Sequence, residues 1–308
     1  MSCPYLKNLN PMPPPFAHLH VIANPAAGTR KPVRATLSAV LDRCGVPWTL
    51  SVTSGPGEGR RLAEEAIASG ADVIAVYGGD GTVADVASGL AGSTIPLAIL
   101  PGGTANILAV ELGLPRRLDD AVRLICDPDH TLRALDRGLV GERSFLIRAS
   151  AGFEAAIIEN TDPGFKHLFG PFGYGIGALR AVRPRFGVRF HLVLDGQPVD
   201  VSGFNVWIAN AGSIGRLGLV FSPHIRPDDG LLDVIALNFA PSSLLALAAS
   251  AVRWDAGARA LRHWQAREVV IEADPPQPVH LDGEPVGHTP LTVTVQPGAV
   301  QVIVRGKG

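Results

Sequence analysis

Charge imbalance is the first thing missing from this 308-residue chain: 27 Lys and Arg face 28 Asp and Glu, a formal net charge of −1. With a pI near 6.8 there is no basic field of the kind that gathers a phosphate backbone, which argues against nucleic acid as a partner. Cysteine is scarce as well. Cys3, Cys44 and Cys126 are odd in number, scattered and without CxxC spacing, which argues against a disulfide framework and a zinc site and makes a reducing cytoplasm the simplest home. Long apolar runs are also absent. The longest candidate, residues 244–252, is well short of the roughly 20 needed to span a bilayer, so any membrane contact is expected from the surface. The opening MSCPYLKNLNPMPPPF is proline-rich and lacks a basic segment followed by an apolar stretch, so residues 1–15 read as a flexible tail rather than a signal peptide. What remains is an ordinary globular composition, 46% hydrophobic and 18% charged, with length enough for two domains.

From His18 onward, apolar runs alternate with amphipathic stretches. Strands are expected at residues 18–23, 48–53, 72–77 and 95–100, and helices at 32–44 closed by Gly45, at 58–69 closed by Gly70, after Gly81, after Thr104, and at 118–127. Strands separated by helices imply parallel βαβ units, hence an open, doubly wound α/β sheet over residues 16–135. Beyond it the texture changes to alternating stretches at 143–148, 188–194, 199–209, 231–237, 269–273 and 291–304, with Asp195-Gly196 as a hairpin signal. Residues 136–308 are therefore expected to form an antiparallel β domain, interrupted by a helical stretch around 241–260. No internal repeat is visible.

Three glycine-containing turns fall where α/β sheets bind ligands, beyond the carboxyl ends of strands. They are Asn24-Pro-Ala-Ala-Gly28, the segment Gly78-Gly-Asp-Gly-Thr82, and Pro101-Gly-Gly-Thr-Ala-Asn106. Each has a plain reading as a strand-to-helix turn, with glycine for positive φ and Thr82 or Thr104 as N-cap. Together, though, they would ring one crevice with backbone N–H groups and helix N-termini, a natural seat for phosphate. Neither GxxxxGK[ST] nor the spacing of GxGxxG occurs. Asp80 stands out because a carboxylate among phosphate-binding amides is repulsive unless a cation joins them, and magnesium is the hard ion that bridges phosphates and carboxylates. Arg30 and Lys31 could reach a phosphate or simply be exposed.

The ordered set NPAAG, GGDGT and PGGTAN, followed by DDGLLDV at Asp228–Val234 and LDGE at Leu281–Glu284, resembles the diacylglycerol kinase catalytic family, which includes bacterial diacylglycerol-type, sphingosine and ceramide kinases. GGDG alone is shared with NAD kinases and phosphofructokinases; the five motifs in order are more specific and span nearly the whole chain. The resemblance implies an α/β nucleotide domain followed by a β-sandwich, with Mg-ATP in the cleft between them, and transfer of phosphate to a diacylglycerol-like or sphingoid lipid. Carried over position by position, it implies ATP contacts at Asn24, Pro25, Gly28, Thr53, Gly78, Gly79, Asp80, Gly81, Thr82, Asp85, Gly103, Thr104 and Asn106. It further implies Asp80 in the network around a catalytic magnesium, Glu284 as general base, and a second, structural metal at Asp229 with main-chain oxygens of Arg226 and Leu231. On the residues alone, Asp282-Gly-Glu284 reads as a surface hairpin turn, and Asp228-Asp-Gly230 reads equally as a solvated turn or a metal-binding one. His280 and His288 flank the DGE turn, with nothing beyond sequence proximity to make them bases.

Two departures from the family are visible. Many members carry GTxND where this chain has Gly103-Thr-Ala-Asn-Ile107, so an acid of the metal network is replaced by Ile107; Glu111, one helical turn on, is a candidate substitute. Ala84-Asp85 also stands where Asn-Glu is common. Residues 164–186 interleave Phe165, Leu168, Phe169, Phe172 and Tyr174 with Lys166, Arg180, Arg183 and Arg185, a composition suited either to a cover over the sandwich or to peripheral contact with an anionic membrane from the cytoplasm. The alternatives are an NAD kinase-like enzyme and a non-catalytic nucleotide- or lipid-binding protein. An exposed sheet edge could make a homodimer.

Overall fold

The computed structural model describes residues 16–28, 33–152, 187–214, 219–220, 224–237 and 262–306. The chain divides into two compact units. The first holds the described residues of Met1–Thr104, Leu112–Arg133 and Val300–Gly308; the second holds those of Ala105–Glu111 and Ala134–Ala299.

In the first unit β1 (Leu19–Ala23), α1 (Val33–Cys44), β2 (Trp48–Val52), α2 (Glu58–Ala68), β3 (Val73–Gly78), α3 (Asp80–Leu90) and β4 (Leu97–Pro101) follow one another; α4 (Ile107–Glu111) groups with the second unit, and α5 (Leu118–Cys126) returns to the first. The strand order is β2-β1-β3-β4, with every pairing parallel. All six positions of β3 are buried, as expected of a parallel strand covered on both faces. The edge strand β2 has only half-buried and exposed positions, and Val52 is open to solvent. The last residues of the chain join this sheet beside β4, where Val302 pairs with Leu97 in parallel. Helix α2 shows how local sequence sets the packing. Leu62, Ala63 and Ala66 turn inward, while Arg60–Glu64 and Arg61–Glu65 pairs one turn apart occupy the outer face. It closes with Gly70 at φ +82, and Ala71 N–H reaches back to Ala66 O at 3.0 Å, a left-handed glycine cap.

The second unit is antiparallel. After β5 (Thr131–Val140), β6 (Arg143–Phe145) and β7 (Arg148–Gly152) come β8 (Val188–Leu194), β9 (Gln197–Gly203), β10 (Asn205–Ala209), β11 (Ser213–Ile214), β12 (Leu219–Val220), β13 (Leu232–Leu237), β14 (Arg262–Ala266), β15 (Glu268–Asp274), β16 (Pro278–Leu281), β17 (Glu284–His288) and β18 (Leu291–Val304). One layer runs β18-β15-β8-β9 and the other β14-β13-β10-β7-β16-β17. Phe145, Phe190, Leu192, Val206, Ile208, Val234, Val269, Ile271 and Val293 from both layers fill one apolar cluster, each large side chain contributing about 2 kcal/mol by leaving water. This is the antiparallel β domain that the alternating texture predicts, arranged as the β-sandwich that the family resemblance implies, following the α/β unit.

Several boundaries differ from the sequence expectation for physical reasons. The run at 199–209 is two strands in different layers; the break falls at Phe204, whose N–H bonds Leu237 O at 2.8 Å. The run at 143–148 is broken between β6 and β7, because Leu146 and Ile147 donate their N–H groups to a side chain rather than to a strand. Helix α3 starts at Asp80 with Gly79 as N-cap, and α4 starts only at Ile107, so neither Thr82 nor Thr104 caps a helix. The expected helix at 241–260, the segment 164–186 and the pair Arg30 and Lys31 lie outside the described residues.

Candidate active site

Parallel register brings the ligand-side loops together. Ala23 pairs with Val52 and with Tyr77, and Gly78 pairs with Pro101. The residues that follow these strand ends, Asn24, Thr53, Gly79 and Gly102, therefore stand side by side at the carboxyl edge of one sheet. Backbone hydrogen bonds knit them: Thr53 N–H to Ala23 O at 2.9 Å, Asn24 N–H to Tyr77 O at 2.8 Å, and Gly102 and Gly103 N–H both to Gly78 O at 2.9 and 3.1 Å. Asn24 ties two loops by side chain. Its Nδ2 donates to Thr82 Oγ1 at 2.9 Å, and its Oδ1 accepts Ala26 N–H at 2.9 Å, which holds the NPAAG turn. Thr53 is buried, Pro25, Gly28, Gly81 and Thr104 are exposed, and Asp80 and Asp85 are half-buried.

The glycines sort by cause. Gly28, at φ +82, and Gly102 both lie against Tyr77: a Cβ at Gly28 would come within 2.1 Å of the phenol oxygen, and one at Gly102 within 2.8 Å of the ring. At Gly78 a Cβ would sit 2.6 Å from that of Thr82. Those three glycines belong to the fold. Gly79 is different, with only Gly103 Cα at 3.4 Å, and a Cβ at Gly81 would meet nothing within 4 Å; neither residue has positive φ. Gly81 opens the first turn of α3, where leading N–H groups have no intrahelical acceptor. A glycine required by neither dihedral nor packing suits a place where a ligand approaches the backbone.

Asp85 Oδ2 accepts Gly57 N–H at 2.9 Å and so fastens the start of α2. Asn106 takes φ +50, and its carbonyl accepts Val110 N–H at 3.0 Å, leading α4. Glu111, the candidate replacement for the acid missing at Ile107, has another engagement: its Oε2 accepts Ser213 N–H at 2.8 Å.

In the second unit Asp282 and Gly283, at φ +48 and +92, form the two-residue turn between β16 and β17, the geometry an Asp-Gly pair favours. The Asp282 carboxylate turns inward and accepts the N–H groups of Leu146, Ile147 and Arg148 at 2.9, 3.0 and 2.9 Å, while its own N–H bonds Arg148 O at 2.9 Å. Burial pushes this carboxyl up to about 6, against the pull of those donors. Glu284 follows at once and is exposed. Neither flanking histidine shares its surroundings: His280 is buried in β16 and His288 is exposed at the end of β17.

Asp229 is exposed, and its Oδ1 accepts Leu231 N–H at 3.1 Å; Arg226 Nε reaches Asp228 at 3.3 Å. Burial raises the Asp229 carboxyl above its ordinary range, opposed by that N–H, with the charges of Asp233 and Asp136 adding to the rise. An all-oxygen, acid-rich surrounding fits a hard divalent cation by donor chemistry. Among the described residues, however, no group of three His, Cys, Asp or Glu side chains is placed to hold an ion. Sequence reasoning missed the residues that hold this loop. Asp136 is buried; its carboxylate accepts Gly230 N–H at 2.6 Å and Gly298 N–H at 2.8 Å. Buried Asn210 donates from Nδ2 to Asp136 O and to Leu146 O, both at 2.9 Å. Asn210 thus links the Asp229 loop to the backbone that Asp282 caps. No pattern in the sequence points to either, since Asp136 interrupts the apolar alternation of β5 and Asn210 follows the last residue of β10.

Residues 18–138 match the diacylglycerol kinase catalytic domain, and residues 148–304 match the YegS C-terminal NAD kinase beta sandwich-like domain. The chain belongs to the diacylglycerol kinase catalytic family. Proteins named "Probable lipid kinase YegS-like" from Pseudomonas aeruginosa (strain UCBPP-PA14) and Pseudomonas fluorescens (strain Pf-5) are 32% and 33% identical, over 92% and 88% of this chain and 93% and 89% of theirs. A crystal structure described as a diacylglycerol kinase from Bacillus anthracis str. Sterne superposes with a TM-score of 0.77 at 26% identity, covering 94% of this chain and 98% of that one. Membership in the diacylglycerol kinase family makes the chain an ATP-dependent lipid kinase, an α/β domain followed by an antiparallel β-sandwich. No helix of the described residues is long and apolar enough to cross a membrane.

Proposed function

We propose that the protein transfers the γ-phosphate of ATP to a hydroxyl of a diacylglycerol-like or sphingoid lipid, with Glu284 as general base. The observation that carries this reading is the row of registered loops at one sheet edge, in which neither dihedral nor packing requires glycine at Gly79 or Gly81. ATP would lie along Asn24–Gly28, Thr53, Gly78–Asp85 and the Gly103–Asn106 turn, its phosphates facing the N-terminus of α3. Magnesium, bound with ATP, supplies positive charge to the phosphate oxygens, and Asp80 is the carboxylate that would hold it. A structural cation would sit at Asp229 with the main-chain oxygens of Arg226 and Leu231.

Phosphoryl transfer runs through a loose transition state, so positioning and charge carry most of the catalysis. The lipid oxygen forms its bond to the γ-phosphorus as the bond to the β,γ-bridging oxygen breaks, and Glu284 takes the hydroxyl proton. An exposed carboxylate is sufficient, because the proton leaves late. Residues 164–186 are proposed to bring the protein to the membrane surface from the cytoplasm.

Radiolabelled transfer from Mg-ATP to diacylglycerol, monoacylglycerol, ceramide, sphingosine and NAD in mixed micelles tests the reading, with Glu284→Gln alongside. One lipid should be labelled, and Glu284→Gln should lower that rate by about 10²- to 10⁴-fold with an unchanged melting temperature. Full activity in the variant would remove Glu284 from the mechanism. No label on any lipid, with ATP still bound, would favour a non-catalytic binding protein.

A further inference from the structure

Cys44 is the last residue of α1 and Cys126 the last of α5, two helices that pack against each other in the first unit. Far apart in sequence, the two cysteines are neighbours close enough to interact, and both are free and partly exposed. We propose that Cys44 and Cys126 are an oxidation site, closing into a reversible disulfide when the protein meets a peroxide.

Geometry favours closure. A disulfide demands specific approach of the two Cβ atoms, and the packing of α1 against α5 brings the helix ends that carry both cysteines together. Each cysteine ends its helix, so the backbone beyond it can adjust without breaking further helical turns. After Cys44 the chain turns at Gly45, φ +66, with Gly45 N–H to Asp42 O at 3.3 Å and Val46 N–H to Leu41 O at 3.2 Å; after Cys126, Asp127 N–H reaches Leu124 O at 3.3 Å. The roles of the two sulfurs differ. Burial, followed by interaction with Cys44, pushes the Cys126 thiol well above its ordinary range, which disfavours Cys126 as the first sulfur to meet the oxidant. Peroxide would transfer one oxygen to the Cys44 thiol, giving the sulfenic acid and, from hydrogen peroxide, one water. The Cys126 sulfur then attacks the Cys44 sulfur, forming the S–S bond and expelling a second water. Two thiols and one peroxide yield one disulfide and two waters, with the peroxide reduced. Contact with Cys126 would trap the sulfenic acid before it advances to sulfinic acid.

The segment between the two cysteines contains Thr53, Gly78–Asp85 and Gly103–Thr104, so the bond would staple the stretch that carries most of the candidate nucleotide loops. The test uses the full chain with Cys3→Ser, treated with a small excess of hydrogen peroxide and mapped without reduction. The expected result is loss of the mass of two hydrogens, one peptide pair joining Cys44 to Cys126, a melting temperature raised by about 5 °C, and return of all three to the starting state with dithiothreitol. In Cys126→Ser, Cys44 should advance to sulfinic acid. Sulfinic acid at Cys44 in the chain that retains Cys126, with no joined peptides, would overturn the proposal. Disulfides found only between separate chains would do the same.

Discussion

Two Asp-Gly turns separate what the fold requires of a residue from what it does not. Asp195-Gly196 joins β8 to β9 with φ +48 and +82, nearly the angles of Asp282-Gly283, and Asp195 Oδ1 likewise accepts neighbouring N–H groups, those of Arg267 and Glu268 at 2.9 and 2.8 Å. The aspartate and glycine of LDGE are therefore accounted for by turn geometry, and only Glu284, where the other turn has Gln197, is left over for chemistry. Asp282→Ala would leave three N–H groups unpaired beneath the turn and should cost about 3 kcal/mol, against about 1 kcal/mol for Asp195→Ala, as read by urea denaturation. The pH dependence has a definite sign. The folded chain binds the Asp282 proton more tightly than the unfolded chain, so that contribution is full below the ordinary value of 3.8 and is lost as pH rises through about 6. In thermal melts across that window, the stability gap between the parent and Asp282→Asn should narrow as pH rises. Glu284 and Asp80 were legible as motif residues. Asp136 and Asn210 were not, because their worth lies in partners distant along the chain, Gly298 and Leu146.

At the scale of elements, α3 is the informative one. Gly28→Ala forces a methyl against Tyr77 at a positive φ and should both destabilise the first unit by about 1–3 kcal/mol and weaken ATP binding. Gly81→Ala meets open space in a helical turn, so stability should hold or rise by about 0.5 kcal/mol while KM for ATP rises about tenfold if a phosphate rests on that backbone. Melting curves paired with ATP titrations distinguish the two variants; equal losses of stability would mean that Gly81 is structural after all. The βα alternation of the first unit was readable because continuous apolar strands such as β3 and glycine-closed helices such as α2 state their own periods. Strand β5 was not. Its Arg133, Asp136 and Arg137 interrupt any apolar alternation, and the burial of Asp136 is favoured only by the loops that donate to it. Strands β14 and β17, largely exposed, offer too few apolar positions to announce themselves. One phenol ring setting two glycines in separate loops, Gly28 and Gly102, is likewise a fact of packing.

For the molecule as a whole, the resemblance of five ordered motifs implied both the α/β-then-β-sandwich arrangement and kinase activity, and the domain matches support both. Chelation separates the two proposed metal roles by site. EDTA should abolish transfer in the parent and in Asp229→Asn alike, since ATP loses its magnesium in both. A cation held at Asp229 would also lower the parent's melting temperature by about 2–4 °C on chelation, with no such shift in Asp229→Asn. Differential scanning fluorimetry reads that difference; identical shifts would place the stabilising ion elsewhere.

The last strand, β18, has a consequence for synthesis. Its residues from Val300 onward belong to the first unit, where Val302 pairs with Leu97. While the ribosome is still making the sandwich, β4 has its neighbour β3 but lacks this later partner, although β1, β2 and β3 have already emerged. Vectorial folding of the N-terminal half is therefore held one strand short until Val300–Val304 leaves the exit tunnel. A nucleotide domain cut off near residue 135 would carry the same bare edge permanently, and a faithful truncation would have to supply those five residues as a covalent or added strand.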